Sequence, residues 1–362
     1  MTATSATGQP TIVIAAGGTA GHVVPALAIA AALRAEGANV VFAGGQRAEA
    51  QLVPAAGYEL EPLRVEGISR SNPLKAARAV VRAAGAVGAA RRILARHGAD
   101  AVLGGGGYVA GPVGLAALTQ RIPVVLTEAD SHLGLTNRLL APRARRVCLA
   151  FPIAGREGER YLLTGRPVPP TIGDREGARA AFGIPPDATC VLIFGGSLGA
   201  RSINLAAVEA FADAPVHVLH VPGARDFADL RPPGPHYHLH EYVDPFGRAL
   251  VAADLVVARA GGSVFELAQY GLPAVLVPYP HASADHQTAN ARWMADAGAA
   301  IVVPDAELTS ARLGSEVGAL LGDPSRLTAM ASASAALARP DAAQAVAGEV
   351  LAAAASRSKG AS

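Results

Sequence analysis

The sequence predicts an α/β protein made of two doubly wound lobes, each with a parallel sheet covered by helices on both faces. Ten short apolar runs are typical of buried parallel strands, and Ala/Leu-rich segments of helical length lie between most of them. A length of 362 residues fits a chain of two domains. The two halves also repeat the same order of motifs, which indicates two lobes of similar topology.

The predicted strands form two sets of five. They span residues 11–16, 39–44, 101–105, 123–128 and 146–151 in the first half, and 190–196, 216–221, 254–259, 273–279 and 299–304 in the second. The segment "IVIAAGGTAG" resembles "VLIFGGSLGAR", and both predict a strand, a glycine turn and a helix. Open parallel sheets bind ligands at the carboxyl ends of their strands, so both turns are expected to face one cleft between the lobes.

The segment Leu162–Asp174 is the expected hinge, because three prolines and two glycines interrupt the pattern there. We therefore expect a first domain at residues 1–165 and a second at residues 166–340. A C-terminal helix at about 341–362 would then return to pack on the first domain.

The composition excludes several classes of protein. With 51% hydrophobic and 17% charged residues the chain has ample material for a core, and a net charge of +2 argues against a nucleic-acid binder. Cys148 and Cys190 are expected to be reduced, buried thiols. The N-terminus has no signal-peptide pattern, and glycines interrupt the uncharged stretch Ala101–Gln120, so no membrane-spanning helix is expected.

The first glycine turn raises a specific expectation about chemistry. Residues 17–21 read Gly-Gly-Thr-Ala-Gly, and His22 follows at the start of a predicted helix, with Pro25 suited to its first turn. Free N–H groups and the positive end of the helix dipole make such a turn a natural site for an anion. His22 is therefore expected at the mouth of a site.

Five segments, in this order, resemble the bacterial MurG family of N-acetylglucosaminyltransferases. They are "GGTAGHVVPALAIA", "GGYVAGP", "LTNRLLAP", "GGSLGAR" and "PHASADHQTANA". The resemblance implies the GT-B glycosyltransferase fold, with two Rossmann-like lobes. It also implies an inverting transfer of GlcNAc from UDP-GlcNAc to undecaprenyl-pyrophosphoryl-MurNAc-pentapeptide (lipid I), which gives lipid II for peptidoglycan synthesis. The first lobe would then face the acceptor and the membrane, and the second would bind UDP-GlcNAc.

The resemblance is incomplete on the acceptor side. Thr127–Asp130 stands where the family usually carries His-Glu-Gln-Asn. The family segment Asn-Pro-Val-Arg appears as Arg166, Pro167, Val168 and Pro169, so the usual arginine is a proline. These departures leave open a glycosyltransferase with another acceptor. A UDP-GlcNAc 2-epimerase-like isomerase and a non-catalytic UDP-sugar-binding protein are further alternatives.

The donor site follows residue by residue from the resemblance. Glu266 would bind the ribose hydroxyls, Gln287 the GlcNAc hydroxyls, and the backbone of Val243 the uracil. The other residues expected to contact UDP-GlcNAc are Thr19, Ala20, Gly21, Ser197, Gly262 and Ser263. The sequence offers no convincing Asp-x-Asp metal pair, so glycine-turn N–H groups are expected to stabilise the leaving diphosphate, with no metal and no cofactor.

The base that takes the proton of the attacking MurNAc 4-hydroxyl has three candidates. His22 is the first choice, because a helix N-terminus disfavours imidazolium and keeps the ring able to accept a proton. Glu128 and Asp130 are the rivals, since both end a predicted strand where site residues belong.

The segment between Glu66 and Asp100 predicts peripheral attachment to the cytoplasmic face of the cell membrane. It has no acidic residue and interleaves basic with apolar side chains, which is typical of a surface for anionic lipid. Its basic residues are Arg70, Lys75, Arg78, Arg82, Arg91, Arg92 and Arg96, and the apolar ones are Leu74, Val80, Val81, Val87, Ile93 and Leu94.

Overall fold

A computed structural model describes residues 8–65, 73–196 and 199–360 of the chain. The fold divides into two compact units. The first comprises Met1–Pro169 together with Arg339–Ser362, and the second comprises Pro170–Ala338. The division therefore falls four residues after the boundary expected from the sequence.

The first unit is built on a sheet of seven parallel strands within the described residues. The strands are β1 (Thr11–Ala15), β2 (Asn39–Gly44), β3 (Glu59–Pro62), β4 (Ala101–Gly104), β5 (Val124–Glu128), β6 (Arg146–Leu149) and β7 (Tyr161–Leu163). Their order in the sheet is β3-β2-β1-β4-β5-β6-β7, and every pair is parallel. The order reverses between β1 and β4, which is the switch point where open sheets of this kind bind ligands.

Helices cover both faces of this sheet. They are α1 (Ala20–Ala35), α2 (Ala48–Ala55), α3 (Pro73–Arg96), α4 (Ala110–Thr119), α5 (Leu135–Leu140) and, from the end of the chain, α14 (Ala342–Gly360). All five residues of β1 are buried. Val13 packs in the core with residues of α3 and α4, whereas Ile12 and Ile14 pack in the core with residues of α1 and α14. This alternation explains why an unbroken apolar run is needed here.

The second unit repeats the arrangement with six parallel strands within its described residues. These are β8 (Cys190–Phe194), β9 (His217–Val221), β10 (Tyr237–Leu239), β11 (Leu255–Ala258), β12 (Ala274–Leu276) and β13 (Ala300–Val302), in the order β10-β9-β8-β11-β12-β13. Its helices are α6 (Arg175–Ala181), α7 (Arg201–Ala210), α8 (Ala224–Phe227), α9 (Gly247–Ala252), α10 (Val264–Tyr270), α11 (His286–Asp296), α12 (Ser310–Leu321) and α13 (Pro324–Ala336). The strand β8 thus takes the place of β1, and β11 that of β4.

Three strands were missed by the sequence pattern, and all of them lie at sheet edges. They are β3, β7 and β10. An edge strand pairs on one side only and does not need apolar residues on both faces, so "ELEP", for example, carries no apolar run. The other ten strands, which include the edge strand β13, lie within the ten predicted runs.

Three local expectations can be compared with the structure. Cys148 and Cys190 are free and buried, as expected. Pro25 does not lie in the first turn of α1, because the helix already begins at Ala20 and places the proline in its second turn. No helix among the described residues is long and apolar enough to span a membrane.

The expectation that the apolar residues between Glu66 and Asp100 belong to a lipid-binding surface is wrong for the part of α3 whose side chains are described. Ile93 and Leu94 are buried in the core of the first unit, and Val87 packs against that core. The apolar residues therefore face the protein, while Arg91 and Arg92 are exposed. Arg70 lies outside the described residues, as do the side chains of Lys75, Arg78 and Arg82.

Candidate active site

His22 is the third residue of α1, directly after the glycine turn that follows β1. The backbone N–H of His22 donates to the carbonyl of Thr19 at 3.0 Å. The hydroxyl of Thr19 lies 3.3 Å from Nδ1 of the His22 ring. Since Nδ1 faces Thr19, Nε2 is the ring atom left to meet a substrate. Thr19, Ala20 and Gly21 are exposed at this helix start.

Gly106, in the turn after β4, holds the His22 ring from the other side. A Cβ atom at this position would lie 2.7 Å from Cδ2 of His22. The backbone of Gly106 also has a φ of +92°, which L-residues with side chains rarely adopt. The turn after β1 leads into the helix that carries the imidazole, and the turn after β4 packs against the ring. The imidazole thus lies between the two turns at the sheet's switch point.

Glu49 fixes the first glycine turn, and the sequence analysis did not single it out. Its carboxylate is fully buried and accepts hydrogen bonds from the N–H groups of Gly18 and Gly45, both at 2.9 Å, and from the hydroxyl of Tyr108 at 2.8 Å. Burial acts to raise the pKa of Glu49, but these hydrogen bonds outweigh it and the pKa is lowered. Burial and the same carboxylate raise the pKa of Tyr108 to about 12. Glu49 and Val53 are the buried residues of α2, so an acidic residue four positions before an apolar one was the available signal.

The electrostatic setting of His22 favours its neutral form. Burial is the largest cause that lowers the pKa of His22, and the nearby guanidinium of Arg166 is the second. Asp130 and Glu49 act in the opposite direction but do not cancel these effects. An unprotonated imidazole at neutral pH is the form that a general base requires.

Glu128 ends β5 and is occupied by hydrogen bonds from its own loop. Its carboxylate accepts from the N–H of Gly134 at 2.8 Å, the side-chain amide of Asn137 at 2.9 Å and the N–H of Asp130 at 3.2 Å. Burial raises the pKa of Glu128, and these bonds oppose the rise. Asp130 is half-buried in the same loop. This geometry favours a loop-fixing role for Glu128.

A small pocket brings the candidate groups of the first unit together. His22, Thr127, Glu128 and Arg166 all line it, and its volume of about 20 Å³ is roughly the space of one water. It opens at the carboxyl ends of the strands, where the doubly wound fold is expected to bind ligands. Of the three sequence candidates for the base, His22 and Glu128 line this pocket, whereas Asp130 does not line it and acts on His22 through its charge.

In the second unit, the donor candidates gather at the carboxyl ends of β10, β11 and β12. Val243 follows β10 and is buried. Gly262 and Ser263 form the turn after β11, and Glu266 lies in the first turn of α10. Ser197, three residues after the end of β8 in the sequence, lies outside the described residues.

Gln287 is the second residue of α11, and its side chain is oriented by the backbone. Its Oε1 accepts a hydrogen bond at 2.9 Å from the N–H of Tyr279, which comes after β12. The carboxamide therefore turns its NH₂ group toward any ligand that it meets. The preceding residues Ala284 and Asp285 have φ values of 52° and 53°, an uncommon backbone for non-glycine residues at this loop.

Arg259 joins several of these strand ends and was not singled out from the sequence. Its guanidinium donates to Asp305 at 2.6 Å and to the hydroxyl of Ser202 at 2.8 Å. Ser202 is the second residue of α7, the helix that follows the glycine turn after β8. Arg259 also donates to the carbonyls of Val277 and Pro278. The helix after the expected phosphate turn is thereby tied to the ends of β11, β12 and β13.

Among the described residues, one group has the spacing of metal ligands. It consists of Glu59, Glu61 and His97, on β3 and after α3. Arg96 donates to the same Glu61 oxygen that lies 2.7 Å from His97. The local positive charge of Arg96 already balances Glu61, and none of these residues belongs to the pocket around His22.

Comparison with known proteins identifies relatives along nearly the whole chain. It matches the N-terminal domain of glycosyltransferase family 28 over residues 12–149 and the C-terminal domain over residues 190–346. It is 43% identical to the UDP-N-acetylglucosamine--N-acetylmuramyl-(pentapeptide) pyrophosphoryl-undecaprenol N-acetylglucosamine transferase of Moorella thermoacetica, covering 92% of this chain and 96% of the relative. The protein of the same name in Salinibacter ruber is 42% identical, covering 96% and 97%.

The solved structure of MurG from Acinetobacter baumannii superposes with a TM-score of 0.78 at 30% identity. The match covers 95% of this chain and 99% of that chain. The expected fold of two Rossmann-like domains, as in GT-B glycosyltransferases, is confirmed.

Proposed function

Because the chain belongs to the MurG family, within glycosyltransferase family 28, we propose that it transfers GlcNAc from UDP-GlcNAc to the MurNAc 4-hydroxyl of lipid I, which gives lipid II. The observation that carries the proposal is the similarity to two transferases of that name along almost the entire chain. The geometry of the two units supports a division of labour, in which the first unit activates the acceptor and the second binds the donor.

His22 is the proposed general base. The MurNAc 4-oxygen attacks C1 of GlcNAc while the bond from C1 to the β-phosphate oxygen breaks, so the configuration at C1 inverts. The proton of the 4-hydroxyl passes to Nε2 of His22, and the electron pair of the broken bond leaves with UDP. Asp130 stands close enough to act on the charge of His22 and would stabilise the imidazolium that forms.

Donor recognition is assigned to the second unit. Glu266 would accept hydrogen bonds from the ribose hydroxyls, and the NH₂ group of Gln287 would donate to a GlcNAc hydroxyl. The backbone of Val243 would meet the uracil. Glycine-turn N–H groups after β8 and β11 would stabilise the leaving diphosphate without a metal ion.

A lipid-linked acceptor also requires a surface that approaches the membrane, and exposed residues on three neighbouring helices of the first unit are the proposed surface. Leu135 and Leu139 are 56% and 66% exposed and lie four residues apart on α5, on either side of exposed Arg138. Leu115 on α4 is 48% exposed, and Arg92 on α3 is exposed. Apolar side chains beside cations favour peripheral binding to anionic lipid at the cytoplasmic face.

The experiment that tests the function uses purified full-length protein, radiolabelled UDP-GlcNAc and a short-chain lipid I analogue, with products identified by mass. The expected product is the acceptor with one added GlcNAc, formed together with UDP. Conversion of UDP-GlcNAc without acceptor would point instead to an epimerase. If the protein binds UDP-GlcNAc but converts none of it, the result would favour a non-catalytic UDP-sugar-binding protein.

Variants separate the roles of the site residues. His22→Gln should lower turnover about 10²–10⁴-fold, the range for a lost general base, with little change in the KM for UDP-GlcNAc. Glu128→Gln should chiefly destabilise the first unit, because an amide cannot accept all three N–H donors. Exposed His236→Gln is the matched control. A larger loss of turnover in Glu128→Gln, with the fold intact, would reassign the base.

A further inference from the structure

Arg259 directly follows β11, and its guanidinium contacts the start of α7. Nη1 donates to Asp305 at 2.6 Å, and Nη2 donates to the hydroxyl of Ser202 at 2.8 Å. The same hydroxyl donates to Asp305 at 2.7 Å. The three side chains therefore form a closed triangle of hydrogen bonds. Because a serine hydroxyl has a single proton, and this one goes to Asp305, Ser202 acts on the helix and not on a ligand.

The triangle holds the start of α7, and the described part of the turn before this helix packs against that start. Ser202 is the second residue of the helix. A Cβ atom at Gly195 would overlap the backbone N of Ala200, which directly precedes the helix. The N–H of Gly199 donates to the carbonyl of Gly196 at 2.9 Å. The N–H groups proposed to stabilise the leaving diphosphate are therefore placed by the first turn of α7.

The other contacts of Arg259 hold the segment that orients the carboxamide of Gln287. Nη1 also donates to the carbonyls of Val277 and Pro278, at 3.1 and 3.2 Å. The guanidinium carbon lies 5.5 Å from the centroid of the Tyr279 ring. The N–H of Tyr279 is the donor that fixes Oε1 of Gln287. One side chain thus connects the turn after β8 with the residue proposed to bind GlcNAc.

Burial makes this connection specific to arginine. The side chain of Arg259 is 10% exposed, and its guanidinium meets four acceptors on two sides. A buried cation is costly unless its donors are satisfied, which the planar fork of a guanidinium allows. A lysine would keep the charge, but its three donors sit on one atom and cannot serve both sides in the same way.

We infer that Arg259 is a positioning residue that keeps the diphosphate turn after β8 in register with Gln287, so that the leaving group and the GlcNAc ring of one donor molecule are held together. The inference rests on the proposed use of UDP-GlcNAc, and it assigns Arg259 no contact with the ligand. Its effect on Gln287 passes through the backbone of residues 277–279. The contribution of Gln287 to donor binding should therefore depend on Arg259.

The test is a double-mutant cycle of Arg259→Lys and Gln287→Ala in the full-length protein, with UDP-GlcNAc and UDP binding measured by calorimetry. In the wild type, Gln287→Ala should raise the Kd for UDP-GlcNAc about tenfold and leave the Kd for UDP unchanged, because UDP lacks the sugar. In Arg259→Lys, the same substitution should raise the Kd for UDP-GlcNAc less than about threefold, because the carboxamide is no longer held.

Kinetics with a lipid I analogue give a second readout. Arg259→Lys should lower kcat about tenfold, because the N–H groups of the turn are less well aimed at the charge that develops on the diphosphate. The KM for the acceptor should stay constant, since the acceptor is assigned to the first unit. Ser202→Ala is the milder variant, because it keeps the ion pair of Arg259 with Asp305, and it should shift kcat and the effect of Gln287→Ala in the same directions.

Arg179 provides the matched control at the opposite end of the same strand. Its side chain is 3% exposed and donates to Asp254, which directly precedes β11, at 2.7 Å. It also donates to the carbonyls of Ala252 and Ala188. Arg179→Lys should lower the melting temperature, as Arg259→Lys does. It should leave the donor Kd, kcat and the effect of Gln287→Ala at their wild-type values.

The outcomes separate this inference from the proposed function. If Gln287→Ala raises the Kd for UDP-GlcNAc by the same factor in the wild type, in Arg259→Lys and in Ser202→Ala, Arg259 supports only the fold and the inference is overturned, while transfer to lipid I would still stand. A Gln287 effect that depends on Arg259, in a protein that transfers no GlcNAc to lipid I, would reject the function and leave the positioning role standing.

Discussion

A buried histidine in the second unit makes the stability of that unit depend on pH. His220, on β9, is fully buried and bonded at both ring nitrogens. Its Nε2 lies 3.0 Å from Oδ1 of Asn204, and its Nδ1 lies 2.7 Å from the hydroxyl of Tyr237. The side-chain amide of Asn204 donates to Asp226 and to the Pro222 carbonyl, so its Oδ1 can only accept. Nε2 therefore carries the proton, Nδ1 accepts from Tyr237, and the ring is neutral.

The magnitude follows from the pKa of His220. Burial lowers it to about 4, compared with about 6.5 in an unfolded chain. Between these values the unfolded state binds more protons than the folded state. The stabilisation is therefore complete above about pH 6.5 and is lost as the pH falls toward about 4. From about pH 7.5 to about pH 5, linkage gives a loss of about 2 kcal/mol from this one residue.

The assay is urea unfolding of the full-length protein, followed by the fluorescence of Trp293. This is the only tryptophan of the chain, and it packs against Phe265 inside the second unit, so it reports on that unit. His220→Gln should have a lower free energy of unfolding than the wild type at neutral pH. Between about pH 7.5 and about pH 5, its free energy of unfolding should fall by about 2 kcal/mol less than that of the wild type. Exposed His281→Gln, in the same unit, is the matched control and should keep the full pH dependence. An equal pH dependence in wild type and His220→Gln would refute the reasoning.

Three further predictions concern the site and its surface. Gly106→Ala should lower turnover without weakening UDP-GlcNAc binding, because the new methyl group would displace the His22 ring. Steady-state kinetics with each substrate varied in turn would separate the two effects. Unchanged turnover would contradict the close contact between residue 106 and the ring. GlcNAc transfer should continue at a similar rate when EDTA is added. A complete loss of activity in EDTA that magnesium or manganese restores would contradict a metal-free site for the leaving diphosphate. The Arg92→Glu/Arg138→Glu double variant should bind anionic liposomes more weakly than wild type in co-sedimentation, with no difference on neutral liposomes.

The central strands were predictable from the sequence, because strands that are buried on both faces of a sheet must be apolar along their whole length. A strand such as β1 has neighbours on both edges and helices on both faces, so every residue from Thr11 to Ala15 is buried. The edge strand β10 pairs with β9 alone and has one buried residue, Tyr237, among its three. No apolar run is required there. The same reasoning explains the error in α3, where Ile93 and Leu94 face the core of the unit and not the lipid.

Much of the candidate site depends on contacts between residues far apart in the chain, and no local pattern encodes these. The glycine turn and His22 are adjacent in sequence, so the turn and the helix start could be predicted together. Arg166 lies 145 positions from the Gly21 carbonyl that it binds. Pro25 of α1 is visible in the sequence, but its consequence, a Gly21 carbonyl that accepts from Arg166, is visible only in the fold. A substitution at Pro25 that restores an N–H would give Gly21 a helical partner and compete with Arg166, so the charge beside His22 depends on a residue that touches neither substrate nor proton.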